Sequence, residues 1–203
     1  MEYLELHPET PQIRYINRAV EVLRKGGVII YPTDTVYGLG CDIYNHEAVK
    51  RIYEIKNESK TKLFSFICPD LKDISKYAKV SDYSYKIMKK LVPGPFTFVL
   101  PAAKEVPKKL WTKRKTVGIR IPDSQIALML AKELGNPIIS TSTTTRLGKR
   151  LSNPREIQAI FDFNVDLMLS DGIQANESSS IIDLSRDESE IIRKGAGDLS
   201  VFY

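Results

Sequence analysis

Short apolar runs rich in β-branched residues alternate with amphipathic helical patterns along nearly the whole chain, and this interleaving limits the possible folds most strongly. The predicted strands cover 28–31, 63–67, 96–100, 116–121, 137–142, 166–170, 180–184 and 190–193. The predicted helices cover about 11–25, 46–55, 70–78, 81–91, 123–134 and 154–161. The last three strands have no helices between them, which argues against a purely parallel sheet. We therefore predict a single α/β domain over residues 1–203 with a mixed sheet.

The residue types that build disulfide or zinc scaffolds are scarce. The 203 residues include only 2 cysteines and 2 histidines, too few for a disulfide framework, a structural zinc site or a His-rich metal cluster. The first ten residues lack the basic and apolar regions of a signal peptide, and no stretch approaches the ~20 apolar residues that span a membrane. We expect a soluble, cytoplasmic protein.

Charge is distributed unevenly along the chain. Residues 50–155 carry 23 basic and 8 acidic side chains, whereas residues 156–203 carry 3 basic and 10 acidic ones. A middle segment this basic favours a polyanionic partner, although its lysines also suit separate solvated helix faces. The densest stretch, 104–115, contains Trp111, a residue that either stacks on a nucleic-acid base or anchors the core.

Three polar segments suit an anionic ligand. The segment 31–40 leaves a predicted strand and contains two threonines and two glycines, and it forms either a binding loop or a structural turn. The segment 56–62 contains three lysines, which either meet phosphates or are solvated. The segment 140–145 is a run of six hydroxyl residues followed by cations at 146, 149 and 150, which favours an anion-binding nest.

No nucleophile is evident in the sequence. Cys41 and Cys68 do not lie in a recognisable nucleophile motif, and the G-x-S-x-G motif is absent. Both cysteines are predicted to be small buried residues. Any chemistry at this site is therefore expected to depend on positioning and electrostatics rather than on a covalent intermediate.

Several ordered motifs resemble one protein family. Gly26–Gly40 reads GGVIIYPTDTVYGLG, and it is followed by PGPFTFVL at 93–100, VGIRIP at 117–122, PIISTS at 137–142 and IIRKG at 191–195. Together these motifs look like the YrdC/YciO family over nearly the whole chain. The stretch 104–120 is most similar to the YciO branch.

This resemblance implies a fold and an activity. The fold is a single α/β domain with a twisted mixed β-sheet flanked by helices and a concave basic cleft. Members of the YrdC branch make threonylcarbamoyl-adenylate from threonine, bicarbonate and ATP, usually with Mg²⁺, and the product feeds tRNA modification. The resemblance also implies binding of double-stranded RNA.

The resemblance implies substrate-binding roles for four residues. Thr33 and Thr35 match the threonine-rich loop that holds the threonine substrate. Arg120 matches an arginine near the substrate carboxylate, and Ser180 stands where the family often has a threonine before a late strand.

Four further residues match positions that bind the nucleotide. Lys56 matches the lysine of the family's K-x-R pair, which faces the ATP phosphates. Ser140 and Ser142 match the S-T-S segment at the nucleotide, and Arg193 matches a late arginine that faces phosphate.

The chain departs from the family pattern at two of these motifs. Glu58 replaces the arginine of K-x-R, and Thr144 replaces the asparagine of S-x-N. Exchanging a cation for an anion near a triphosphate changes each close charge pair by about 1–4 kcal/mol, which lowers ATP affinity by orders of magnitude. We therefore expect a YciO-type protein that binds nucleotide and RNA and makes threonylcarbamoyl-adenylate weakly or not at all. Two alternatives are a working synthase, in which Lys60 or Lys62 replaces the lost arginine, and a module that binds only RNA.

Overall fold

A computed structural model describes residues 1–57, 64–72, 74–104, 106, 115–145 and 148–202. Its strands are Glu2–Glu5 (β1), Ile29–Tyr31 (β2), Gly38–Asp42 (β3), Ser65–Ile67 (β4), Phe96–Pro101 (β5), Thr116–Arg120 (β6), Ile138–Ser142 (β7), Leu167–Ser170 (β8), Ser180–Arg186 (β9) and Glu188–Arg193 (β10). Its α-helices are Ile13–Arg24 (α1), His46–Lys56 (α2), Asp82–Leu91 (α3), Gln125–Leu134 (α4) and Pro154–Phe161 (α5). Short 3₁₀ turns occupy Ile74–Lys76 and Ser200–Phe202.

The strands in the described ranges form one sheet in the order β1-β8-β2-β3-β7-β4-β6-β5-β9-β10. Parallel pairing joins β1 to β8, β8 to β2, β4 to β6, and β5 to β9, and the remaining neighbours are antiparallel. The sheet is therefore mixed, which confirms the predicted α/β fold.

Helices pack on both faces of this sheet. On β2, Ile29 and Tyr31 join an apolar cluster with side chains of α1 and α4, whereas Ile30 joins a second cluster with side chains of α2, α3 and α5. Successive residues of a strand point to opposite faces, so the two clusters lie on opposite sides of the sheet. The predicted flanking helices are thus confirmed, in three layers.

Two segments differ from the sequence-based prediction. The predicted loop 32–42 contains β3. Among the described residues of the predicted helix 70–78, the helical part is the 3₁₀ turn Ile74–Lys76. In the second segment the Asp70 carboxylate accepts a hydrogen bond from the Lys72 backbone N–H at 2.7 Å. Such local bonds compete with helical hydrogen bonding and favour a turn.

Candidate functional site

One face of the sheet changes from apolar to polar along its central strands. On β7, Ile138 packs in the cluster with α1 and α4, and Ser140 and Ser142 follow on the same face. On β4, Ile67 belongs to that cluster and Ser65 lies on the same face at the other end of the strand. The face is therefore apolar under the helices and polar beyond them.

Register extends this polar face across neighbouring strands. Residues paired across strands share a face, and Ser140 pairs with Gly40 of β3 and with Ser65 of β4. Farther along the sheet, Ile181 of β9 pairs with Thr97 of β5 and with Arg193 of β10. A cavity of about 180 Å³ lies over this face.

Arg120 holds one side of the cavity. Its Nη2 donates to Thr35 Oγ1 at 2.6 Å and to Thr33 Oγ1 at 3.3 Å, and it also donates to the Asp34 carboxylate. The other Asp34 oxygen accepts from the Asp123 backbone N–H at 3.0 Å. The loop before β3 is thereby tied to the end of β6, with the Arg120–Asp34 ion pair buried between them.

The Arg120 side chain also has an unused donor. Among the side chains that the structure describes, its Nε is buried and has no hydrogen-bond partner. Leaving a buried donor unsatisfied costs about 1–3 kcal/mol, more on a charged group. Because Arg120 lines the cavity, a carboxylate or phosphate oxygen bound there is suited to accept this hydrogen bond.

Arg193, on β10, also lines the cavity. Its Nε and Nη2 donate to the Ser179 carbonyl oxygen at 3.0 and 2.8 Å. Burial, together with the charges of Arg120 and Arg150, lowers the pKa of Arg193, although an arginine stays protonated at neutral pH. Three like charges near one cavity create a potential that an anion would relieve.

A tyrosine behind the cavity orients one of its hydroxyl groups. Tyr31 is fully buried, and its hydroxyl donates to Ser140 Oγ at 2.7 Å. Desolvation raises the pKa of Tyr31, so the phenol stays protonated and remains a donor. The Ser140 hydroxyl, which lines the cavity, thus keeps its own hydrogen for another acceptor.

Lys56 lies beside the cavity rather than in its lining. It is only 7% exposed, and its ammonium donates to the backbone carbonyl oxygens of Ser142 and Thr144, both at 3.1 Å, and to the Thr144 hydroxyl. The lysine therefore fastens the chain after β7. Its predicted contact with ATP phosphates stays a prediction, and Glu58, Lys60 and Lys62 lie outside the described residues, as do Trp111 and Arg146.

The structure brings most of the predicted site residues to one place. Those that line the cavity are Thr33, Arg120, Ser140, Ser142 and Arg193. Thr35 lies behind them as a partner of Arg120. The Ser180 hydroxyl instead donates to the Gly197 carbonyl oxygen at 3.0 Å and is fully buried outside the lining.

Several residues around the cavity were not predicted from the sequence. These are Tyr31, Ser65, Thr97, Ser178 and Ser179. Serines 178 to 180 form a polar run at the start of a predicted strand, a signal similar to the hydroxyl run at 140–145. The other residues carry no local signal, since only the strand register brings them to this face.

Within the described ranges, no group of three or more His, Cys, Asp or Glu residues is arranged to hold a metal ion. No helix there is long and apolar enough to cross a membrane.

Known proteins share both the sequence and the fold. The family model Sua5_yciO_yrdC, described as "Telomere recombination", matches residues 21–195. The uncharacterized protein YciO of Escherichia coli K12 is 40% identical over 203 residues, covering 99% of this chain and 98% of that protein. The crystal structure of E. coli YciO matches with a TM-score of 0.95 and covers 100% of both chains.

Two further matches carry names that bear on chemistry. A threonylcarbamoyl-AMP synthase of Coxiella burnetii is 35% identical over 157 residues, covering 76% of this chain and 83% of that protein. The structure of P. abyssi Sua5 complexed with L-threonine is 26% identical, with a TM-score of 0.89, covering 96% of this chain and 58% of that chain.

Proposed function

The chain belongs to the Sua5/YciO/YrdC family, and from this premise we propose that it is a YciO-type nucleotide-binding protein with weak or absent threonylcarbamoyl-adenylate synthesis. The observation that carries the proposal is the convergence of Arg120 and Arg193 on one hydroxyl-lined cavity. Arginine side chains paired with hydroxyl donors suit carboxylate and phosphate oxygens. In this proposal ATP enters as a substrate or ligand together with Mg²⁺.

Arg120 is proposed to receive a carboxylate. Its free Nε and its contacts with Thr33 and Thr35 leave one edge of the guanidinium for a planar acid group. The threonine complex of the P. abyssi relative supports an amino acid as the source of that group. Ser140, Ser142 and Arg193 are proposed to contact the nucleotide.

Weak synthesis is proposed because the phosphate-facing cations of the family pattern are altered. Glu58 puts a negative charge where the pattern has an arginine. Lys56 already donates to carbonyl oxygens of Ser142 and Thr144, which reduces what it offers a triphosphate. Binding without fast chemistry is the expected result.

Calorimetric titration with ATP and Mg²⁺ tests the binding part of the proposal. We expect Arg193→Ala to weaken ATP binding about tenfold or more, because a charge-assisted contact is lost. Arg155→Ala, which removes an exposed arginine outside the cavity lining, serves as the matched control and is expected to bind normally. Equal affinities in all three proteins would overturn the assignment.

Pyrophosphate release tests the chemistry. With ATP, threonine, bicarbonate and Mg²⁺, we expect release near the background rate. Rapid release that disappears in Lys56→Ala would instead establish the alternative, a working synthase.

We propose binding of double-stranded RNA or tRNA as a second function, on the basis of helix α3. Its exposed surface combines Lys86, Lys89 and Lys90 with Tyr85, which is 43% exposed. Lysines attract the phosphate backbone and an exposed aromatic ring stacks on bases. A Lys89→Glu, Lys90→Glu variant is expected to lose salt-dependent RNA binding while keeping ATP binding, and unchanged RNA affinity would reject this role.

A further inference from the structure

The described residues 143–145 and 148–151 follow β7 at the edge of the cavity and pair with each other, and this pairing is called the hairpin. Thr144 and Arg150 form an antiparallel bridge, and the Thr145 backbone N–H donates to the Lys149 carbonyl oxygen at 2.8 Å. At the base of the hairpin, the Leu151 N–H donates to the Thr143 carbonyl oxygen at 3.1 Å. The bridge sets the position of Arg150 relative to Thr144.

The base of this hairpin is fixed to the body of the protein at two points. The Thr143 backbone N–H donates to the Tyr37 carbonyl oxygen at 2.9 Å, and the Thr143 side chain is fully buried. The Lys56 ammonium holds both the carbonyl oxygen and the hydroxyl of Thr144. A buried cation therefore anchors the strand of the hairpin that pairs with Arg150.

The hairpin brings Arg150 to the side of the cavity where Arg193 stands. Arg150 Nη1 donates to the Ser178 hydroxyl at 3.2 Å, and Arg193 Nη2 donates to the hydroxyl of the adjacent Ser179 at 3.2 Å. Both serines line the cavity. Two neighbouring serines thus hold two arginines side by side.

The two arginines lack an acidic partner. Across the described ranges, neither Arg150 nor Arg193 forms an ion pair with a carboxylate, in contrast to Arg120 with its Asp34. Burial lowers the pKa of Arg193, and repulsion by Arg120 and Arg150 lowers it further. A multiply charged anion would stabilise two positive charges that are held together without acidic partners.

We propose that Arg150 and Arg193 form a two-arginine clamp for a phosphate group at the mouth of the cavity, with Lys56 acting as a positioning residue through the hairpin. This inference rests on the proposed nucleotide-binding function and identifies which cations meet the phosphates. Arg150 supplies positive charge in place of the arginine that Glu58 replaces in the family pattern.

The test compares Arg150→Ala with Lys149→Ala by calorimetric titration, using ATP, inorganic pyrophosphate and adenosine as separate probes. Both variants lose one exposed cation. Lys149 serves as the control because it pairs with Glu156, with 3.9 Å between Lys149 Nζ and Glu156 Oε2. We expect Arg150→Ala to weaken ATP and pyrophosphate binding about tenfold and to leave adenosine binding unchanged. Lys149→Ala should bind all three probes like the parent protein.

A double-variant cycle tests the role of Lys56. If Lys56 acts through Arg150, then Lys56→Met combined with Arg150→Ala loses no more pyrophosphate affinity than the weaker-binding single variant, whereas independent roles make the losses multiply. Because Lys56 is buried, circular dichroism first establishes that both Lys56 variants are folded, and if they are not, the Arg150 and Lys149 comparison alone decides.

The outcomes separate this inference from the proposed function. ATP binding that is equal in Arg150→Ala and Lys149→Ala overturns the clamp and leaves nucleotide binding standing. Arg150-dependent pyrophosphate binding without ATP binding supports the clamp and rejects the nucleotide function. Failure of the parent protein to bind either phosphate compound overturns both.

Discussion

Single side chains decide which hydrogen-bond donors the cavity presents. Tyr31 donates to Ser140 from behind, and Thr33 and Thr35 accept from Arg120, so few hydroxyl groups are left to orient at random. A ligand that meets fixed donors loses less entropy on binding than one that must order them. The buried partners are therefore as important to affinity as the residues in the lining.

Removing the Tyr31 hydroxyl tests this view. We expect Tyr31→Phe to lower the free energy of unfolding by about 1 kcal/mol, the usual net value of one hydrogen bond. ATP affinity should fall severalfold because Ser140 becomes free to turn its hydrogen away. Urea denaturation and calorimetry measure the two effects, and Tyr44→Phe, at a position that is 50% exposed, should show neither.

The Arg120–Asp34 ion pair gives a second test at this scale. Both side chains are about nine-tenths buried, with exposures of 10% and 9%. Asp34→Asn leaves a buried arginine without its counter-charge and should lower the free energy of unfolding by about 3 kcal/mol in a denaturant titration. Asp123→Asn, which changes an exposed carboxylate and keeps the backbone N–H that Asp34 accepts, should have little effect.

Individual residues of the site were predictable where a local pattern marked them. Thr33 and Ser140 lie in hydroxyl-rich segments at strand ends, and both line the cavity. Arg150 donates a hydrogen bond to Ser178, which is 28 residues later in the chain, and this contact depends on how the hairpin folds back. No spacing rule in the sequence expresses such a contact.

Strand β3 contains two glycines, Gly38 and Gly40, at positions where neighbouring side chains approach closely. A Cβ atom at Gly38 would lie 2.9 Å from Ser140 Oγ and 2.9 Å from Tyr31 Cζ. The missing side chain gives the Tyr31 ring room to cross beneath β3 and reach β7. Glycines are poor strand formers, so the sequence pattern of 32–42 indicated a loop, and packing against Tyr31 reversed that preference.

Adding a methyl group at position 38 should disrupt the pairing of β2 with β3. We expect Gly38→Ala to lower the free energy of unfolding by about 1–3 kcal/mol through overpacking. Gly118→Ala is the matched control on the same face of the sheet, since its Cβ would lie an ordinary 3.4 Å from Thr97 Cγ2. Similar stability of the two variants in urea would contradict this explanation.

Element prediction succeeded where hydrophobic patterns were strong. The runs around 96–100 and 137–142 appear as β5 and β7, while the glutamate-flanked β1 was not predicted. β1 exists because β8 accepts it in parallel register, from Glu2 opposite Leu167 to Glu5 opposite Ser170. Such pairing between distant segments overrides weak local propensity.

At the scale of the whole molecule, one sheet connects segments far apart in the chain. β1 pairs with β8, and β5 near the middle of the chain pairs with β9. Contacts of this kind close long loops before they add stability, which predicts slow folding. Local strand pairs such as β2–β3 and β9–β10 are joined into one sheet only by pairing between distant segments.

A single cooperative unfolding transition is therefore expected for residues 1–203. Near-ultraviolet and far-ultraviolet circular dichroism should give the same midpoint in a urea titration, because packing and secondary structure are lost together. Two separated midpoints would argue for two domains. Addition of ATP should move both signals to higher urea by the same amount.

The polar face of β7 and β4 lowers the stability of the folded protein. At Ser65 a valine or isoleucine would extend the apolar layer under α1 and α4 and is expected to strengthen the fold. At Ser140 the same exchange would leave the buried Tyr31 hydroxyl without its acceptor. Adaptation to high temperature would therefore favour an apolar residue at Ser65, and the gain in stability would come from filling the space that the proposed ligand needs.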